Sequence, residues 1–128
     1  MEHFASVLVV DDDDDIREAI CGVLEAEGYT TMTAENGEVA LASLDKGRRP
    51  CVVLLDLMMP VMNGWDFMRA VSEKGTLDDL PVIVVSAYSE TVAPGAKRVL
   101  KKPLDVKQLL AAVREFCCCP PREPSTRN

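Results

Sequence analysis

The stretch CVVLLDLMMPVMNGWDFM, residues 51–68, decides how the rest of the chain is read. It opens with an unbroken apolar run, Cys51 to Leu55, closed by a single aspartate, Asp56. A strand with one wet face alternates apolar and polar residues, whereas a strand that is apolar at every position is buried on both faces. Pro60, Asn63 and Gly64 then mark a turn, and Trp65, Phe67, Met68 and Val71 recur at helical spacing, which predicts a helix over 64–72. A doubly buried strand feeding a helix is the repeating unit of a parallel sheet covered on both sides.

The same unit recurs outward in both directions. Residues 5–10 are apolar and β-branched, and Ile16, Ala19, Ile20, Val23 and Leu24 follow at helical spacing up to Gly28. YTTMTA (29–34) reads as a second strand, and Asn36-Gly37 opens a helix that closes near Gly47. PVIVVSA (81–87) is a fourth strand, VLK (99–101) a short fifth, and Val106 to Phe116 a last amphipathic helix. The fold class is therefore α/β, a doubly wound five-stranded parallel sheet.

A chain of 128 residues suits one domain, and 48% hydrophobic residues supply its core. No stretch approaches the ~20 apolar residues of a membrane span, and no basic-then-apolar leader opens the chain. The expectation is a soluble, cytoplasmic, monomeric protein without membrane partners. The net charge of −7 is unevenly spread: residues 1–45 hold twelve acids and one base, and residues 97–114 hold six bases and one acid. An acidic whole argues against nucleic acid as a partner. The five cysteines include the triplet Cys117, Cys118 and Cys119. That odd count gives no disulfide framework, and with His3 the only histidine a zinc site lacks ligands, so reduced thiols are expected. The triplet is read with the proline-rich end as solvated, the domain spanning 1–119 and a disordered tail 120–128.

In open parallel sheets the functional site lies beyond the carboxyl ends of the strands. There the sequence offers Asp11 and Asp12 after the first strand, Asp56 after the third, Ser86 after the fourth and Lys102-Pro103 after the fifth. Taken singly, a strand-end aspartate caps a helix or sits in water. Together, clustered carboxylates repel one another and need a cation, and an all-oxygen set selects a hard one such as Mg²⁺. A carboxylate beside Mg²⁺, an ammonium and a hydroxyl is a sound phosphoryl acceptor. Within the run Asp11 to Asp15, the first two are the candidate cation ligands. Asp13 or Asp14 is the candidate N-cap, and Asp14 and Asp15 fall where negative charge meets the positive end of the helix dipole.

Four blocks, VLVVDDD, VVLLDLMMPVMNGWDFM, PVIVVSA and VLKKP, together resemble the receiver domain of bacterial response regulators, in order and over roughly residues 5–116. The Asp-x-x-Met-Pro-x-x-Asn-Gly segment is the most specific part. The resemblance implies a flavodoxin-like sheet of order 2-1-3-4-5. It implies that Asp56 accepts a phosphoryl group from a phosphohistidine on a sensor histidine kinase or phosphotransfer protein. It makes Asp12 a direct Mg²⁺ ligand, Asp11 a ligand through water and Met58 a ligand through its backbone carbonyl. Ser86 would hydrogen-bond the phosphoryl group and Lys102 would pair with it, Lys101 being the rival. Pro103 would follow a cis peptide, and Pro60 and Gly64 would shape the loop after Asp56. The protein would be no enzyme beyond its own phosphoryl transfer and dephosphorylation.

The chain departs from that pattern in three places. The family's aromatic switch position holds Val99, with Tyr88 as a candidate substitute. Only residues 87–101 separate Ser86 from Lys102, where a full helix, a strand and two loops need about 24 residues. Pro94 and Gly95 also break helices, so the fourth helix is expected to be shortened or missing. The chain ends soon after Phe116, which leaves no room for an effector domain and implies output to another protein, or a relay role. The alternative is a degenerate receiver that acts as a phosphorylation-independent scaffold. An aspartate-nucleophile phosphatase would need a second acid two residues after Asp56, where Met58 stands. No glycine-rich nucleotide motif occurs.

Overall fold

Five strands in the order β2-β1-β3-β4-β5, all parallel, form the sheet. The computed structural model describes residues 6–46, 49–75, 80–87 and 93–117. The elements run β1 (Ser6–Val10), α1 (Asp14–Ala26), β2 (Thr30–Ala34), α2 (Gly37–Asp45), β3 (Val52–Asp56), α3 (Gly64–Glu73), β4 (Val82–Ser86), β5 (Arg98–Lys101) and α4 (Val106–Phe116). This is the flavodoxin-like order expected from the sequence. The proposed tail, 120–128, and Tyr88 lie outside the described residues.

The period-2 geometry of a strand explains two cores rather than one. On one face Val7 and Val9, Val52 and Leu54, Ile83 and Leu100 pack with Ile20 and Leu24 of α1 and Leu109, Ala112 and Val113 of α4. The alternate residues Leu8, Val10, Val53, Leu55, Val82 and Val84 pack on the other face with Ala40 of α2 and Phe67, Met68 and Val71 of α3. Each such aliphatic burial is worth ~1.5–3 kcal/mol. No helix among the described residues is long and apolar enough to cross a membrane.

Local signals set the helix ends. The Asp13 side chain caps α1 by accepting from the N–H groups of Asp15 and Ile16, so of the two candidates it is Asp13 that caps. At the other end Gly28 takes φ +96°, its N–H donates to Glu25 O, and Tyr29 N–H donates to Leu24 O. That pair of bonds needs a left-handed residue at Gly28 and turns the chain into β2. Asn36, Asn63 and Asp105 cap α2, α3 and α4.

Among the described residues no helix lies between β4 and β5, and residues 88–92 fall outside the description. Ala93 and Ala96, on either side of the Pro94-Gly95 turn, pack against the core on the Val82 and Val84 side of the sheet. Val99, at the expected switch position, is 40% exposed. One sequence expectation is corrected here. Cys117 is not part of a solvated tail, because its half-buried side chain packs against the core beside Phe116. A cysteine behaves as a small hydrophobe and follows the apolar face of the preceding helix.

Candidate functional site

Parallel pairing in register brings the strand ends to one edge. Val10, the last residue of β1, pairs with Leu55, so Asp11 follows beside Asp56. Asp56 pairs with Val85, which places Ser86 one step beyond, and Ser86 pairs with Lys101. Lys102 N–H then donates to Ser86 O at 2.7 Å, which ties the end of β5 to the end of β4.

Asp11, Asp12 and Asp56 each turn a carboxylate oxygen inward, and these atoms all lie within 4.8 Å of one another. Lys102 Nζ stands 3.5 Å from Asp11 Oδ2 and 3.5 Å from Asp56 Oδ2. Lys101, the rival, is exposed. The Lys102–Pro103 peptide is cis, as the resemblance implies. Asp11 and Asp56 are buried, and Asp12 is exposed at the mouth. Ser86 is buried at the same edge. Met58 donates its N–H to Asp56 Oδ1 at 3.2 Å while its side chain faces solvent.

Burial pushes the Asp56 carboxyl above the ordinary aspartate value of 3.8, and the Asp11 carboxylate pushes it the same way. The Lys102 ammonium and the Met58 N–H pull it back, and Asp12 adds a smaller upward push. Three carboxylates against one ammonium leave net negative charge in a partly dry site. A divalent cation would relieve that charge, and the donors are all oxygen, so the residues present fit Mg²⁺.

The loop after Asp56 holds this edge in shape. Gly64 N–H donates to Leu57 O at 2.9 Å, and a Cβ on Gly64 would come within 2.8 Å of Asp56 O. Only glycine lets α3 start this close to the phosphoacceptor candidate's backbone. Met62 N–H donates to Pro60 O at 2.7 Å around Val61, whose φ is +68°. That γ-turn is the strained hand, in a β-branched residue. Sequence reasoning missed Val61, since nothing in Pro-Val-Met announces a positive φ. It also missed Arg17, whose Nη1 donates to Asp11 O at 2.7 Å and whose other terminal nitrogen pairs with Asp14. The signal was present: Arg17 is the sole base among twelve acids in residues 1–45 and stands i+3 from Asp14.

The model for the response regulator receiver domain matches residues 7–114. The response regulator MprA of Mycobacterium tuberculosis is 40% identical over 114 residues, covering 84% of this chain and 48% of that protein. The chain therefore spans about half the length of the curated relatives it matches. A CheY-like receiver domain protein from Methanospirillum hungatei JF-1 superposes with a TM-score of 0.80 at 30% identity, covering 90% of this chain and 95% of that one. The response regulator TrrA from Thermotoga maritima, solved in complex with Mg(2+)-BeF, gives 0.79 at 31% identity, covering 88% and 99%. On its strand order, its strand-end carboxylates and a family match across nearly its whole length, the chain belongs to the response regulator receiver domains of two-component systems.

Proposed function

We propose that this receiver accepts a phosphoryl group on Asp56 from a phosphohistidine of a sensor histidine kinase or phosphotransfer protein, and signals by binding another protein. The observation that carries the reading is the meeting of Asp11, Asp12 and Asp56 within 4.8 Å, with Lys102 Nζ at 3.5 Å from two of them. An Asp56 oxygen bonds to phosphorus as the N–P bond breaks, and the imidazole leaves with the electron pair. Asp12, Asp11 and Asp56, with the Met58 carbonyl, would hold Mg²⁺, Asp11 through water. When bound, the metal supplies the positive charge that balances the phosphoryl oxygens. Lys102 takes one of those oxygens and Ser86 hydrogen-bonds another. The Mg(2+)-BeF complex of TrrA supports the same metal assignment here. On this reading the chain works in the cytoplasm and its output partner is a protein.

The test is labelling with acetyl phosphate and Mg²⁺, followed by mass spectrometry. An acid-stable, base-labile mass gain that Asp56→Asn abolishes is expected. No gain under conditions that label an ordinary receiver would remove the reading. It would leave the alternative, a phosphorylation-independent interaction scaffold, for which the exposed Val99 and the short 87–101 segment leave room.

A further inference from the structure

The main-chain ladder of β1 ends at Val10, and the peptide that joins Asp11 to Asp12 lies just beyond it. Asp11 is nevertheless held at every polar atom. Its N–H donates to Ala34 O at 3.1 Å, and its Oδ1 accepts from Asp13 N–H at 2.9 Å. Its Oδ2 faces Lys102 Nζ, and its carbonyl oxygen accepts from Arg17 Nη1 at 2.7 Å. The Arg17 side chain is only 17% exposed, and its second contact, Asp14, is 81% exposed. A guanidinium bonded to a main-chain carbonyl makes a short, charge-assisted hydrogen bond. That carbonyl shares its peptide plane with the N–H of Asp12, so fixing it fixes the direction in which Asp12 leaves the backbone.

We infer that Arg17 is a positioning residue for the cation site: it clamps the Asp11–Asp12 peptide so that the Asp12 carboxylate stays with those of Asp11 and Asp56. The inference rests on the Mg²⁺ reading given above. It differs in sign from a charge effect. Arg17 is a cation near a dication, so by Coulomb's law alone its removal tightens metal binding. As a clamp, its removal loosens the carboxylates and weakens binding.

The experiment titrates the full chain with Mn²⁺, followed by the electron paramagnetic resonance of the free ion, with Mg²⁺ as competitor. Arg17→Met keeps the aliphatic stem and loses charge and donors. It is expected to weaken binding about 10-fold, the lower end of what residues bracing a metal ligand contribute. Arg17→Lys keeps the charge without the two-ended fork and is expected to fall between wild type and Arg17→Met. Asp14→Asn removes the exposed ion pair, leaves the carbonyl clamp, and is expected to stay within about twofold of wild type. Thermal unfolding in EDTA reports whether each variant is folded. Should Arg17→Met not fold, Arg17→Lys decides, and an unchanged affinity there overturns the inference. Equal or tighter binding by folded Arg17→Met overturns it while the Mg²⁺ reading stands. Equal weakening by Asp14→Asn and Arg17→Met also overturns it, in favour of a general effect on the start of α1. A wild-type chain that binds neither Mn²⁺ nor Mg²⁺ removes the reading and the inference together.

Discussion

Lys102 Nζ stands 3.5 Å from Asp56 Oδ2, and the same nitrogen is 3.5 Å from Asp11 Oδ2. Both separations exceed those of a tight charge-assisted hydrogen bond, about 2.7–2.9 Å. The ammonium is shared between two carboxylates and committed to neither, which leaves it available to a third anionic group. Lys102→Ala is therefore expected to slow phosphoryl uptake from acetyl phosphate roughly 100-fold, the scale for losing one charge-stabilising donor. It should also raise the Asp56 pKa further, since Lys102 is a group that lowers it. A labelling time course and a pH titration of the carboxyl resonance check the two outcomes.

Asp56 binds its proton more tightly in the folded chain than in the unfolded one, because burial and Asp11 oppose its charge. Stability therefore falls as pH rises from about 3.8 through the raised folded value, and the full cost is present above it. Asp56→Asn removes that cost. In EDTA it should raise the urea midpoint at pH 7, and the gain should shrink towards pH 3.5. Adding Mg²⁺ should stabilise wild type and close most of the gap. A variant less stable than wild type at pH 7 without metal would contradict this account.

The five aspartates separate by position. Asp12→Asn should abolish Mg²⁺ binding, and Asp15→Asn should leave it intact. Asp13→Ala deletes the oxygen that accepts from Asp15 N and Ile16 N, at a cost of ~1 kcal/mol of stability with or without Mg²⁺. Calorimetry and chemical denaturation on the three variants distinguish a metal site plus a cap from a uniform acidic patch, which would respond equally to all three.

Val61 holds φ +68° while its side chain is 76% exposed. The strain is not offset by packing. Glycine enters this region without a Cβ penalty, so Val61→Gly should stabilise the chain by about 1 kcal/mol, a rise in melting temperature of roughly 3–5 °C. Since Met62 O accepts from Gly37 N–H, the same change tests whether the strained turn sets the docking of that loop on α2.

The sheet was legible because Val7–Val10, Val52–Leu55 and Val82–Val85 are apolar and buried at every position. That no helix lies between β4 and β5 among the described residues was legible as a shortage of residues between Ser86 and Lys102. The carboxylates, Ser86 and Lys102 were legible as strand-end residues, and the register brings them to one edge. Other features depended on geometry that composition does not encode. Val61 is β-branched in a conformation such residues avoid, so propensity points the wrong way. The interactions of Arg17 run to a backbone carbonyl, which no side-chain motif records. Cys117 was grouped with its neighbours in sequence, although the apolar stripe of α4 continues one residue past Phe116.

The short connection into β5 also distributes stability unevenly. β5 is an edge strand of four residues, with Arg98, Val99 and Lys101 exposed and only Leu100 buried. Its amides should exchange with solvent through a low-energy, sub-global opening rather than through global unfolding. Lys102 is the next residue, and its backbone N–H donates to Ser86 O. On the phosphoacceptor reading, each such opening would withdraw the Lys102 ammonium from Asp56, and the competence of the site would follow the local free energy of its least covered strand. Hydrogen exchange at Leu100 and Lys102 would track phosphoryl acceptance more closely than any melting temperature.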